Sequence, residues 1–172
     1  MRRELFLPSS EGEARLLLLI AAFSVGEGVL EGRTKLAKLD FLLRYPRFLR
    51  KALRARGGAK RAAELIDAPE TIEGRMVKYR YGPWDPSYYA LLGRLLGKRL
   101  IVSVPFARGV GYRVTESGQA IAEKLEQIPE WEQLAERARL LKSKFDIQGS
   151  ALTRFLYEQF PEIRSAPWGD AL

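Results

Sequence analysis

The segment that most constrains this chain runs from Tyr79 to Leu125, YRYGPWDPSYYALLGRLLGKRLIVSVPFARGVGYRVTESGQAIAEKL, because its signals fall in the order helix, strand, glycine-rich tip, strand, helix. Asp85 can cap a helix, and Pro86 is tolerated in a first turn, where its missing N–H has no partner to lose. Tyr88, Leu91, Leu92, Leu95 and Leu96 then recur at helical period, which predicts a helix from about Pro86 to Leu96 with Gly97 as its carboxyl cap. Leu100 to Phe106 is rich in branched apolar residues and predicts a strand. Ala107 to Gly111 holds two glycines and predicts a tip, set at Arg108 to Gly111, and Tyr112 to Val114 predicts a second short strand. Thr115 opens the next helix with Gly118, not an acidic residue, three positions on. This is the pattern of a winged helix.

Elsewhere, Ser9 or Ser10 can cap a helix through about Val25, and Gly26, Gly28 and Gly32 interrupt it. Thr34 can cap a second helix, which Pro46 breaks or kinks. Lys60 to Ile66 reads as a brief helix, Glu73 to Tyr81 as an extended segment leading into a turn at GPW, Pro129 to about Ser143 as a helix and Gly149 to Phe160 as another. The expected class is α+β, mainly α: a winged helix with additional N-terminal and C-terminal helices. Its expected organisation is an irregular arm (1–9), a winged-helix domain (10–127) with a basic helical insertion (44–61), C-terminal helices packed on it (128–160) and a flexible tail (161–172).

Charge is concentrated in one place. Arg44, Arg47, Arg50, Lys51, Arg54, Arg56, Lys60 and Arg61 follow one another with no acidic residue between them, and these eight cations equal the whole net charge of +8. Tyr45, Phe48, Leu49, Ala52 and Leu53 make an apolar stripe on the same stretch, so an amphipathic helix with a basic outer face is expected. Such a face suits phosphate backbones, an acidic patch on a partner protein or an anionic surface, and in many proteins it is only solvated. The sequence-level nucleic-acid candidates are these eight residues with Arg108 at the hairpin tip. Tyr81, Trp84 and Tyr89 are the candidates for docking a partner, although packing in the core is the default for Trp84. The helix after Pro86 carries only Arg94 before Lys98 and Arg99, too few polar side chains for reading base edges in the major groove.

The chemistry the chain lacks is equally informative. It has no cysteine and no histidine, which removes thiol nucleophiles, cysteine-ligated metals and the commonest general base. No phosphate-loop motif occurs. Glu70 and Glu73 with Lys78 superficially suggest a metal-dependent nuclease, but Glu73 and Lys78 do not share the two-residue spacing that would put both on one face of a strand. The expectation is a protein that is not an enzyme and uses no cofactor or metal. The apolar run Leu16 to Phe23 is too short to span a bilayer, and is expected to be a core helix of a cytoplasmic protein.

Two stretches carry a resemblance. GRTKLAKLDFLLRYP (Gly32 to Pro46) with the basic helix after it, and MVKYRYGPWDPSYYALLGRLLGKRL (Met76 to Leu100) closing with YRVTESG, resemble the middle components of bacterial ABC-three-component systems. The Lamassu anti-phage accessory subunit LmuC looks like a relative. The resemblance implies a non-catalytic winged-helix subunit that bridges or regulates an SMC-like or Rad50-like ATPase and an effector subunit. Non-specific contact with double-stranded DNA through the basic segment, and no membrane partner, are the expectations beside it. A free-standing dimeric winged-helix transcriptional regulator is the alternative.

Overall fold

The computed structural model describes residues 7–64, 76–79, 82–107 and 109–172. Helix α1 (Ser10–Phe23) begins at Ser9, whose hydroxyl accepts from Gly12 N–H at 3.0 Å. Leu16, Leu17, Leu19, Ile20 and Phe23 of α1 are all buried, since the helices Tyr88–Gly97, Glu116–Leu125 and Pro129–Phe145 and the strand Gly109–Val114 pack round it. A short 3₁₀ turn (Val25–Glu27) leads to Leu30 and then to α2 (Arg33–Arg44). Thr34 does not cap α2: the capping position is Gly32, which has no side chain to offer.

Pro46 starts a new helix rather than kinking the old one. The chain turns at Tyr45, and α3 (Pro46–Ala55) carries Pro46 in its first turn. The rings of Phe41, Tyr45, Phe48 and Phe160 meet, with Phe41–Phe48 and Phe48–Phe160 centroids 4.9 Å apart, and this aromatic cluster fixes α3 on α2 and on the end of the helix Gly149–Gln159. Helix α4 (Ala59–Glu64) follows. Strands β1 (Val77–Tyr79) and β2 (Gly82–Trp84) pair antiparallel as a hairpin with Tyr79 opposite Gly82, where the sequence reading had only an extended lead-in.

Helix α5 (Tyr88–Gly97) buries Tyr88, Leu91, Leu92 and Leu95 as the periodicity predicts. Gly97 is its last helical residue rather than the residue past its end. The left-handed conformation falls instead on Arg99 (φ 58°), whose carbonyl accepts the Thr115 hydroxyl at 2.7 Å. Strands β3 (Ile101–Phe106) and β4 (Gly109–Val114) form a second antiparallel hairpin. Phe106 stands opposite Gly109, so Gly109 to Gly111, expected in a tip at Arg108 to Gly111, belong to the strand β4. Leu30 bonds to the outer edge of β4: its N–H donates to Tyr112 O at 2.9 Å and its carbonyl accepts from Tyr112 N–H at 3.0 Å.

Helix α6 (Glu116–Leu125) is capped by Thr115, whose hydroxyl accepts from Gly118 N–H at 3.0 Å. Gly118 is there because of close approach: a Cβ on it would stand 1.9 Å from Leu100 O. Helices α7 (Pro129–Phe145), α8 (Gly149–Gln159) and α9 (Pro161–Ser165) complete the described elements. The main core joins α1, α2, α3, α5, α7 and α8, and a smaller cluster of Leu18, Ala122 and Ala135 ties α1 to α6 and α7. The segment 161–172, expected to be a flexible tail, follows buried Phe160 and makes contacts with the rest of the chain. Phe160 and Ile163 are buried, Lys78 N–H donates to Asp170 O and Leu172 N–H to Met76 O, both at 2.9 Å, and Tyr45 Oη donates to Leu172 O at 3.0 Å.

The architecture is α+β and mainly helical, with two small antiparallel hairpins. No described helix is long and apolar enough to cross a membrane.

Candidate nucleic-acid interface

Of the eight sequential cations, the structure turns most outward and one inward. On α3 the stripe Phe48, Leu49, Ala52 and Leu53 is buried, which leaves Arg47, Lys51 and Arg54 exposed and Arg50 half-buried on the opposite side. Lys60 and Arg61 on α4 are exposed, and Arg61 pairs with Glu64 at 2.9 Å. Two of the exposed cations hold their charged heads near aromatic rings. The Arg47 guanidinium carbon lies 4.6 Å from the Phe48 centroid and the Lys51 ammonium 5.2 Å from that of Phe160, which orients both side chains on the helix. Arg56 is more committed: its Nε and Nη2 donate to Lys144 O at 3.1 and 3.0 Å, and its guanidinium sits over Phe145 and Phe155. That bond brings Lys144 beside the basic helix, a neighbour no local pattern in the sequence could reveal.

Arg44 is a correction. Its side chain is 6% exposed and lies in a buried ion cluster, 2.7 Å from Asp85 Oδ2 and 3.4 Å from Asp40 Oδ2. Arg15 Nε donates to Asp40 Oδ1 at 2.8 Å, and Tyr88 Oη to Asp40 Oδ2 at 2.7 Å. Asp85 also accepts from Ser87 N–H at 2.8 Å, which joins the cluster to the start of α5. Burial pushes the Asp40 carboxyl up, but Arg15, Arg44 and the hydrogen bonds from Tyr88 and Arg15 outweigh it and hold it below the ordinary carboxylate value. Burial and then the Asp40 charge raise the Tyr88 phenol well above its ordinary range. Two cations and two anions gathered this way lock α1, α2 and α5 together; they are not available to a phosphate.

The aromatic candidates divide similarly. Tyr88 is fully buried, whereas Trp84 is half-buried and Tyr89 is 61% exposed. Trp84 packs edge-on against Tyr88 at 5.2 Å and tilted against Tyr89 at 6.0 Å. Arg33, from the first turn of α2, places its guanidinium 4.8 Å from the Tyr89 centroid. Together with Ala37, Gly82 and Pro83 these residues line a cleft of about 230 Å³. Arg33 is a residue the sequence reading missed, because it lies far from Tyr89 along the chain. Arg108 and Tyr81 fall outside the described residues.

Behind the cleft lies a second buried group of charges. Lys38 and Lys78 are 1% and 4% exposed. Lys38 Nζ donates to Thr34 O at 3.3 Å, and Lys78 Nζ to Tyr157 Oη at 3.4 Å. Among the described residues neither ammonium pairs with a carboxylate. Burial, then the nearby Lys78 charge, pushes the Lys38 ammonium down to about 8. Burial lowers Lys78 as well. Among the described residues, no group of three or more acidic side chains is gathered as a metal site would need.

The outer face of α5 bears Tyr89, Ala90, Gly93 and Gly97, with nothing packed over either glycine. Its cations are already engaged: Arg94 donates to Pro8 O at 3.1 Å and pairs with Glu13, as does Lys98. No protein-family model, curated protein or solved structure matches the chain.

Proposed function

We propose that this chain is a non-catalytic, DNA-contacting interaction subunit built on a winged-helix frame. The order α1, the Leu30 bridge to β4, α2, α5, β3 and β4 supports that frame, with α3, α4 and the β1–β2 hairpin inserted before α5. The observation that carries the reading is the α3 face, where Arg47, Lys51 and Arg54 stand exposed on a helix whose other side is anchored in the core. Cations held on a rigid element suit the regularly spaced charges of a duplex, and neutralising phosphates supplies affinity without reading sequence.

The smooth face of α5 argues for a subunit of an assembly over a free-standing regulator. A regulator needs donors and acceptors aimed at base edges, and Ala90, Gly93 and Gly97 offer none. The assembly proposed is one with an SMC-like or Rad50-like ATPase and an effector subunit in an anti-phage or anti-plasmid system, the partners implied by the resemblance of GRTKLAKLDFLLRYP and the Met76 to Leu100 stretch.

Duplex binding measured across a salt series tests the DNA contact. Replacing Arg47, Lys51 and Arg54 with Gln removes the charges and keeps much of the apolar stem. The expected result is a slope of log affinity against log salt shallower by ~0.9 per lost phosphate contact, up to ~2.7 for three, with no change in sequence preference. An unchanged slope and affinity would remove DNA from the reading.

A further inference from the structure

Three features around the α2–β2–α5 cleft point to one kind of occupant. The first is its size and lining. At about 230 Å³ the cleft is below the range of pockets that enclose drug-sized molecules, and it offers room for a single apolar side chain against Pro83, Trp84 and Tyr89. Tryptophan, tyrosine and arginine are also the residues that dominate binding energy at protein interfaces.

The second is charge. Arg33 is exposed at the rim over Tyr89 and, among the described residues, forms no ion pair. Gly82, which lines the cleft, separates it from buried Lys38: a Cβ on it would stand 3.9 Å from Lys38 Cε and 3.9 Å from Tyr157 Oη, the group to which Lys78 donates. The lysines lie behind the lining and not in it, so the charge that makes this face select an anionic occupant is the Arg33 guanidinium at the rim, with two buried ammonium groups set behind it.

The third decides between a protein segment and a nucleic-acid strand. A single strand needs a basic groove that follows its backbone and successive aromatic platforms. Here the neighbouring cations Arg94 and Lys98 are taken by Glu13, the α5 surface beyond Tyr89 is Ala90 and Gly93, and the Trp84 and Tyr89 rings are tilted by 55°.

We propose that the cleft seats an acidic stretch of a partner protein, one apolar side chain entering between Pro83, Trp84 and Tyr89 while flanking carboxylates meet Arg33. This rests on the reading of the chain as an interaction subunit and names the chemistry its partner presents.

Fluorescein-labelled twelve-residue peptides test it by anisotropy on the full chain. Each carries one central Trp, Phe, Leu or Pro flanked by Glu and Ser, with a matched set in which Lys replaces Glu and a twelve-nucleotide thymidine strand as competitor. At least one Glu peptide binds ten-fold or more tighter than its Lys counterpart. Tyr89→Ala and Arg33→Glu, both at exposed positions, each weaken that binding ten-fold or more, whereas the α3 glutamine triple variant leaves it unchanged. Binding of no Glu peptide, equal binding of the Glu and Lys sets, or loss only in the α3 variant overturns the proposal. Displacement of the Glu peptide by the thymidine strand, abolished by Tyr89→Ala, also overturns it and makes the cleft a nucleic-acid site. Because the salt slope is read on α3 and the peptide on Arg33 and Tyr89, either proposal can fail while the other stands.

Discussion

Helix α2 holds two kinds of buried charge within two turns. Asp40 and Arg44 belong to a cluster in which the cations Arg15 and Arg44 face the anions Asp40 and Asp85, with Tyr88 donating to Asp40. Lys38 and, across from it, Lys78 are as deeply buried, but their described hydrogen bonds go to a carbonyl and a phenol. Both sites satisfy their hydrogen bonds, and no buried side-chain nitrogen or oxygen among the described residues lacks a partner. What differs is charge balance. Burial penalises an ion whether or not it is hydrogen-bonded, and only an opposite charge at short range offsets much of that penalty. The balanced cluster therefore holds Asp40 below and Arg44 above their ordinary values, while burial lowers both lysines.

The largest effect that would break this comparison is at Arg44. Arg44→Ala leaves Asp40 and Asp85 short of a cation inside the core and should cost about 3–5 kcal/mol in denaturant unfolding. A cost below ~0.5 kcal/mol would mean the residue is at the surface after all.

Lys38 should behave in the opposite sense. Its folded value of about 8 lies below the ordinary 10.5, so between those two values the unfolded chain binds more protons than the native one and stability rises with pH. At ~1.4 kcal/mol per pH unit the rise amounts to about 3 kcal/mol. Asp40 contributes nothing in that window: its lowered value means its stabilisation is complete above the unfolded carboxylate value and is lost only as acid protonates it. Lys38→Met should flatten the alkaline rise and raise stability at pH 7. A variant less stable at pH 7 with the same pH profile would show that the ammonium is not under strain.

Tyr88→Phe removes one donor from Asp40 and keeps the ring against Trp84, so the expected loss is about 1.5–3 kcal/mol, smaller than at Arg44 because both cations remain. Equal losses at the two positions would mean that hydrogen bonding, not charge balance, holds the cluster.

The local rules of the chain were legible and the long-range ones were not. Apolar spacing located α3 and α5, a serine cap located α1, Pro129 and Gly149 marked where α7 and α8 begin, and the Thr115 cap and the β3–β4 hairpin followed from residue type. Arg44 looked like its basic neighbours because the anion that claims it most closely, Asp85, comes after an intervening insertion. The role of Gly118 was hidden for the same reason, since its requirement is set by a carbonyl from the far side of the hairpin. The contacts of the segment from Pro161 were hidden because its composition is poor in apolar residues, whereas its bonds to Met76 and Lys78 are made by backbone groups that composition does not record. At the site, the α3 stripe was visible from period alone, whereas the cleft required Arg33 to meet Tyr89 across α2 and α5.

The pairing of residues 169–172 with β1 sets an order of events on the ribosome. The segment from Val77 to Tyr79 leaves the tunnel early, but the residues that bond to its outer edge are translated after every helix of the described fold. Until then β1 and β2 make an isolated two-stranded ribbon, which is marginal in water, with an open edge of the kind that recruits stray strands. The nascent chain can therefore build its helical core first, and the region around Lys78 becomes native only when synthesis has reached Leu172.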